Sequence, residues 1–122
     1  MTSINYYTGR PYSFRNYHCW HHVRNVRADA GIETPAFDVI SPSKADEMFD
    51  AGHTDSKGLT KVDEPRNYDA VLMGIRHASR IVWHSGVYFD GCVSHCERAA
   101  KQVKLESLAD IRKRYKEIEF WR

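Results

Sequence analysis

A two-residue turn between two β-prone runs constrains the fold of this chain more than any other feature of its sequence. Asp90-Gly91 separates residues 81–89 from residues 92–96, and Asp-Gly is the strongest short-range signal for a β-hairpin because both positions readily take positive φ. We therefore expect an antiparallel sheet that contains this hairpin. A turn of two residues predicts these cross-strand pairs: Phe89 with Cys92, Tyr88 with Val93, Gly86 with His95, and His84 with Glu97.

Alternation along the hairpin places two histidines on one face of the sheet. His84 and His95 become diagonal neighbours, roughly 7–8 Å apart at the backbone, which is within reach of a hydrogen bond between the two rings. Gly86 has no side chain and leaves room for the His95 ring. The pattern thus predicts one imidazole oriented by a second. The alternative is two unrelated surface histidines.

A cysteine stands at the start of the first predicted helix, residues 18–30. Apolar residues recur there at helical spacing and Gly31 follows the last of them. At a helix N-terminus, unpaired backbone N–H groups and the helix dipole stabilise a thiolate, so we expect a lowered pKa for Cys19. A nucleophile, a base and a group that orients the base are the requirements of covalent acyl chemistry. The alternative is that Cys19 is a small buried core residue.

Metal sites are the other chemistry that the sequence raises. Cys92, His95 and Cys96 have zinc-ligand chemistry, but alternation sends His95 to the face opposite both cysteines. His18 and His22 are four residues apart on a helix and could hold a metal, although no second pair of ligands accompanies them. We expect no metal and no other cofactor. The odd number of cysteines, three, argues against a disulfide framework.

The bulk properties are those of one globular domain spanning residues 1–122. The net charge of +2 is too small to indicate nucleic-acid binding. The sequence has no apolar run of membrane-spanning length and no signal-peptide pattern at its start. We therefore expect a product that is made in the cytoplasm and stays there until something else carries it out.

The motifs together resemble a known enzyme family. Three motifs carry the likeness: Cys19-Trp20 on the first helix, His84-x-Gly86-x-Tyr88, and Val93-x-His95, whose histidine is eleven residues after the first. They are similar to those of the NlpC-type peptidoglycan cysteine peptidases, most closely their phage tail-associated branch. Residues 68–73 resemble the family's Gly-Asp-Val-Val-Leu-Met strand, and residues 105–122 resemble the closing helix and strand of the phage members. The likeness covers most of the chain and is vaguest over residues 36–64.

The resemblance implies a fold and a set of site residues. The fold would be a small papain-like α+β domain, in which an N-terminal helix bearing the cysteine packs on an antiparallel sheet bearing the histidines. Cys19 would be the nucleophile, His84 its base and His95 the residue that orients His84. Tyr12 would line the site and help the Cys19 backbone N–H to hold the oxyanion. This chain departs from the family at His18, where Asp is usual, and at residues 20–22, where Gly or Ser-Gly is usual.

The resemblance also implies a function. It predicts a cysteine endopeptidase that cleaves an amide bond in peptidoglycan stem or cross-link peptides through a thioester. The setting would be the tip of a phage tail, in contact with other tail-tip or baseplate hub proteins of the virion. The enzyme would act in the bacterial periplasm and cell wall, opening the wall locally for DNA entry. The alternative is a structural tail-tip protein that keeps the peptidase fold without activity.

Further elements follow from local patterns. The sequence predicts helices at residues 43–51 and after a Ser107 cap, and strands at residues 68–73, 103–105 and 117–121, with a connection at 74–79.

Overall fold

The architecture is α+β, as predicted. The structure, a computed structural model, describes residues 3–35 and 59–122. These residues form a short 3₁₀ helix, two α-helices and a six-stranded sheet in which all neighbouring strands are antiparallel, in the order β1-β6-β2-β3-β4-β5. The predicted helix at residues 43–51 lies outside the described residues. The elements in chain order are the 3₁₀ helix Ile4–Tyr7, α1 Cys19–Asp29, β1 Lys61–Val62, β2 Ala70–His77, β3 Arg80–Phe89, β4 Cys92–Glu97, β5 Gln102–Ser107, α2 Leu108–Arg114 and β6 Glu117–Trp121.

Histidines cap the first helix. His18 is the N-cap residue: its Nδ1 accepts the Trp20 N–H at 3.2 Å, and its own N–H donates to His21 Nδ1 at 3.1 Å. This reciprocal pair takes the role that Ser or Thr and Glu have in a common capping box. Gly31 follows the helix with φ of 82°. The prediction of a helix over residues 18–30 is therefore confirmed to within one residue at each end.

The β3–β4 hairpin forms at its turn as predicted. Asp90 and Gly91 both have positive φ, 48° and 81°, and the predicted pairs of Phe89 with Cys92 and Tyr88 with Val93 are present. The ladder ends one pair later, at Val87 and Ser94, so the two further predicted pairs are not formed. Beyond this point β3 keeps its pairing with β2, while β4 keeps its pairing with β5. Because each strand follows its other neighbour, β3 and β4 separate.

The second strand is longer than predicted. It begins at Ala70 and runs through Gly74 to His77, which pairs with Arg80 across a tight turn. The expected connection at residues 74–79 is therefore wrong except for its last two residues. Gly74 stays in the strand because this face is crowded: an added Cβ would lie 2.7 Å from Ile81 Cγ2. A mid-strand glycine here reflects close packing rather than a break.

The last three elements of the chain, β5, α2 and β6, form where the sequence predicts them. Ser107 caps α2, its Oγ accepting the Asp110 N–H at 3.1 Å, and β6 spans the predicted residues. The short strand predicted at 103–105 is real but longer, Gln102–Ser107.

Two apolar clusters lie on opposite faces of the sheet. α1 packs on β3 and β4, against the face that carries Trp83, Val87 and Cys96. α2 and the residue after it cover the other face, which carries residues of β2, β4 and β6. The second cluster comprises Val71, Met73, Val93, Ile111, Tyr115 and Phe120. Side chains alternate along a strand, so His84 points to the face that α2 covers, and the side chains on either side of it point toward α1.

Candidate active site

The two hairpin histidines are hydrogen-bonded to each other. His84 Nε2 lies 2.9 Å from His95 Nδ1, and the ring planes are inclined at 75°. Gly86 makes this approach possible, because a Cβ there would lie 3.0 Å from His95 Cβ and 2.7 Å from Val93 Cγ1. The predicted shared face and the ring-to-ring contact are both present, although the strands do not pair at this level.

An acidic side chain continues the network on the far side of His95. His95 Nε2 lies 2.6 Å from Glu106 Oε2, on β5. Arg114, the last residue of α2, donates to the same oxygen of Glu106 at 2.5 Å and to Glu97 Oε1 at 3.0 Å. In the sequence, Arg114 is one of several cations at the C-terminal end of a helix, where a cation compensates the helix dipole. No local signal could have revealed the contact of His95 with Glu106, because it depends on the register between β4 and β5.

Tyr115 closes the site over the first histidine. Its ring stacks on that of His84 at 6.0 Å between centroids and 19° between planes, a geometry favoured by aromatic pairs. Burial lowers the pKa of His84 well below 6.5, and His95, Arg114 and His22 add to the effect. Burial also lowers the pKa of His95, although Glu106 opposes this. Both rings are therefore neutral at pH 7.

Cys19 lies at the start of α1 and meets β3 one residue after His84. Its side chain is 8% exposed. The hydroxyl and backbone N–H of Ser85 stabilise the thiolate form of Cys19, as do the N–H groups at the start of the helix. Among the buried side-chain N and O atoms of residues 3–35 and 59–122, Ser85 Oγ is the one without a hydrogen-bond partner. Its hydroxyl is therefore available to the sulfur when the thiol ionises.

Burial outweighs the helix terminus at this thiol. The predicted lowering of the Cys19 pKa is wrong: desolvation raises the pKa, and the donors from Ser85, Trp20 and Cys19 itself offset only part of the rise. The donors at the helix N-terminus do lower the pKa of Cys19, as the sequence indicates. Desolvation has the larger effect, because removing the sulfur from water disfavours the charged thiolate.

The structure does not join the cysteine to the histidine pair. Within the described part of the chain no hydrogen bond links Cys19 Sγ to His84. α1 packs on one face of the sheet, whereas the His84 ring lies against Tyr115 on the other face. Cys19 nevertheless lies within electrostatic range of Tyr115, the residue whose ring stacks on His84. The charge of a Cys19 thiolate raises the pKa of Tyr115, after burial and Glu97.

The other predicted site residues lie close to the sulfur. Burial, and next the charge of Cys19, raise the pKa of Tyr12, and Tyr12 packs against the α1 cluster. Its loop is held by a hydrogen bond from Tyr12 N–H to Lys101 O at 2.9 Å. As the first residue of α1, Cys19 has no acceptor within the helix for its own N–H. The Cys19 N–H is therefore next to the thiol, and Tyr12 lies within range of the charge of Cys19.

The histidines of α1 have structural partners. His22 is fully buried, with Nδ1 2.7 Å from Tyr17 Oη and Nε2 2.8 Å from Ser94 Oγ. Both of its ring nitrogens are occupied and His18 Nδ1 caps the helix, so the pair is not arranged to share a metal. Burial lowers the pKa of His22 to about 3 and that of His18 to about 4.

One group of side chains in the described residues has a spacing that suits a metal ion. Ligand atoms of His95, Glu97 and Glu106 lie within 4.8 Å of one another. Arg114 already forms ion pairs with both carboxylates, so a cation would have to displace it. Cys92 and Cys96 are free cysteines. Cys96 packs in the α1 cluster on the face opposite His95, and the three residues do not form a zinc site.

Comparison with known proteins adds no assignment. Neither a protein-family model nor a curated protein sequence matches the chain. Over the described ranges, neither helix has the length and apolar character needed to cross a bilayer.

Proposed function

We propose that the protein is a cysteine peptidase of the small papain-like type, with Cys19 as nucleophile, His84 as base and His95 as the residue that orients the base. The single observation that carries the proposal is the 2.9 Å hydrogen bond between His84 and His95. It holds one imidazole by its Nε2 and leaves Nδ1 to exchange a proton. The thiol at a helix terminus beside Ser85 supports the same interpretation.

The proposed reaction proceeds through a thioester. Cys19 transfers its proton to His84 Nδ1 as its sulfur attacks the scissile carbonyl carbon. The resulting oxyanion is held by the Cys19 N–H and Tyr12. The C–N bond then breaks, and the proton on His84 passes to the leaving amine. Water, deprotonated by His84, releases the acyl group and restores the thiol.

Burial raises the pKa of Cys19 and lowers that of His84, so the thiol and the imidazole are both neutral at pH 7. We therefore propose that the proton moves from Cys19 to His84 during the attack rather than before it. The resting enzyme would then hold a thiol and a neutral imidazole instead of an ion pair. Sγ and Nδ1 would come together when substrate enters between β3 and β4. Catalytic hydrogen bonds are often long or unformed until substrate binds.

The substrate and setting come from the resemblance of the Cys19, His84 and His95 motifs to NlpC-type enzymes. On this basis we propose a peptide amide bond of peptidoglycan as the substrate. The protein would be part of a phage tail tip, bound to hub or baseplate proteins of the virion, and would act on the host wall in the periplasm.

A structural tail-tip protein without activity is the second candidate. Two observations favour it: burial raises the pKa of Cys19, and no hydrogen bond within the described residues joins the sulfur to His84. A chain that had lost catalysis could keep the fold and the histidine pair for stability alone.

Mass spectrometry of fragments released from purified cell walls distinguishes the two candidates. The peptidase predicts that the wild-type protein releases muropeptides and that Cys19→Ala abolishes release. Cys92→Ala is the matched control and should be fully active, because Cys92 is partly exposed next to the hairpin turn and has no role in the proposed reaction. Absence of cleavage by the wild-type protein under conditions where a known wall hydrolase cleaves would favour the structural role. Equal cleavage by wild type and Cys19→Ala would contradict the proposed nucleophile.

A further inference from the structure

We infer that Glu106, held by Arg114, is a positioning residue that sets the tautomers of both active-site histidines and so makes His84 Nδ1 the proton acceptor. The inference rests on the proposed function for its catalytic meaning, but the tautomers themselves are measurable without it. Glu106 is on β5, opposite Val93 of β4, and its side chain is 20% exposed.

The assignment begins at the carboxylate. An ionised carboxylate can only accept hydrogen bonds, so the 2.6 Å contact requires that His95 Nε2 carries a hydrogen and donates it to Glu106. A neutral imidazole has one N–H and one lone pair. His95 Nδ1 must then be the lone-pair atom.

The same logic passes to the second ring. Because His95 Nδ1 is an acceptor, the 2.9 Å contact requires His84 Nε2 to donate. The lone pair of His84 is then on Nδ1, the nitrogen that the proposed reaction uses. In the other tautomer of His84, Nδ1 would carry the hydrogen and could not act as a base.

Arg114 holds the Glu106 carboxylate, from which the chain of hydrogen bonds through His95 to His84 begins. It donates to Glu106 Oε2, the same oxygen that His95 meets, and to Glu97 Oε1. Glu97 meets Arg114 and has no hydrogen bond to either histidine within residues 59–122. Glu97 therefore serves as a matched control: it is an acidic neighbour of the same arginine and of His95 that makes no hydrogen bond to either ring.

The variants that separate these roles are Glu106→Leu, Glu106→Gln and Glu97→Leu. Leucine removes the acceptor, so His95 Nε2–H loses its partner and both rings should become mixtures of tautomers. Glutamine keeps an oxygen that can accept from both His95 and Arg114, and should retain the wild-type tautomers. Glu97→Leu should also retain them.

Nitrogen-15 NMR of the histidine rings at pH 8, where the rings are neutral, provides the test. In the wild-type protein we expect both histidines to be protonated at Nε2 and unprotonated at Nδ1. For Glu106→Leu we expect averaged ring shifts and a fall in kcat of about ten- to a hundredfold with little change in KM. Glu106→Gln should stay within a few-fold of wild type.

Wild-type His84 protonated at Nδ1, or unchanged tautomers in Glu106→Leu, would overturn the inference. If Glu106→Leu does not fold, the wild-type spectrum still decides the assignment. Expected tautomers in a protein that does not cleave cell walls would refute the proposed function and leave the role of Glu106 intact. Full cleavage activity in Glu106→Leu would refute the role of Glu106 and leave the proposed function intact.

Discussion

His22 on α1 is hydrogen-bonded to Ser94, the residue that precedes His95 on β4. His22 Nε2 lies 2.8 Å from Ser94 Oγ, while His95 meets His84 from the other face of the same strand. Ser94 and His95, consecutive residues of β4, thus hold His22 on one side of the sheet and His84 on the other. Both histidines are neutral in the folded protein because burial lowers their pKa values.

This arrangement predicts that acid destabilises the fold. Burial lowers the pKa of His22 to about 3 and that of His18 to about 4, whereas both titrate near 6.5 in an unfolded chain. Between these values the unfolded chain binds more protons, so the free energy of unfolding should fall as the pH drops from about 6.5 toward 3. The loss should amount to a few kcal/mol. Urea unfolding at a series of pH values measures it.

His22→Gln provides the comparison for that series. It removes one titrating group, so its stability should be lower than wild type at pH 8 and should depend less on pH below 6.5. A wild-type free energy of unfolding that does not change between pH 7 and pH 4 would contradict the prediction.

The chemistry of Cys19 leads to a second prediction. Because burial raises its pKa, the native thiol should react slowly with iodoacetamide at pH 7, and its rate should increase as the pH approaches 10. Cys92, which is partly exposed, should be alkylated first. Mass spectrometry of peptides after timed alkylation gives the three rates separately, and denatured protein provides the control in which all three thiols react. Faster labelling of Cys19 than of Cys92 at pH 7 would show a resting thiolate instead.

Gly86→Ala should disturb the histidine pair and the fold together. The added Cβ would lie 2.7 Å from Val93 Cγ1 and 2.9 Å from the carbonyl oxygen of Ser94, so β4 would have to shift. We expect a loss of about 1–3 kcal/mol in the free energy of unfolding. Ala109→Ser, at an exposed position of α2, is the control and should change stability by less than about 0.5 kcal/mol. Equal stability of Gly86→Ala and wild type would show that the strands accommodate the methyl group.

An ion pair between the buried Asp69 and the partly exposed Arg122 joins the residue before β2 to the residue after β6. Asp69 is 3% exposed, and it accepts from Arg122 Nε at 3.0 Å, Arg122 Nη2 at 2.7 Å and the Arg66 N–H at 2.8 Å. Asp69→Ala leaves these donors without their acceptor and should cost about 2–4 kcal/mol.

The control for Asp69→Ala is an exposed pair on the same sheet. Lys61 Nζ lies 3.2 Å from Glu119 Oε2, with the lysine side chain 56% exposed. Lys61→Ala should cost less than about 1 kcal/mol, because water screens the charges and replaces the contact. Denaturant unfolding of both variants measures the difference. Similar losses in the free energy of unfolding would contradict the larger contribution to stability predicted for the Asp69 pair.

Features that depend on neighbouring residues were predictable from the sequence. The Asp90-Gly91 turn, the shared face of His84 and His95, the helix beginning at Cys19 and the Ser107 cap all follow from turn chemistry, alternation and capping. Each of these acts over a few residues, so no knowledge of the rest of the chain is needed. The sequence alone therefore determined the hairpin turn, the boundaries of α1, the start of α2 and the contact between the two histidines.

The tertiary structure decided what these parts meet. It placed α1 on the face opposite His84 and buried Cys19 enough to reverse the expected direction of its pKa. It also brought Glu106 to His95 and Arg114 to Glu106. These outcomes depend on which face of the sheet buries more apolar surface and on the register of strands joined by other turns. Such contacts join residues far apart in the chain, and packing of the whole domain sets them.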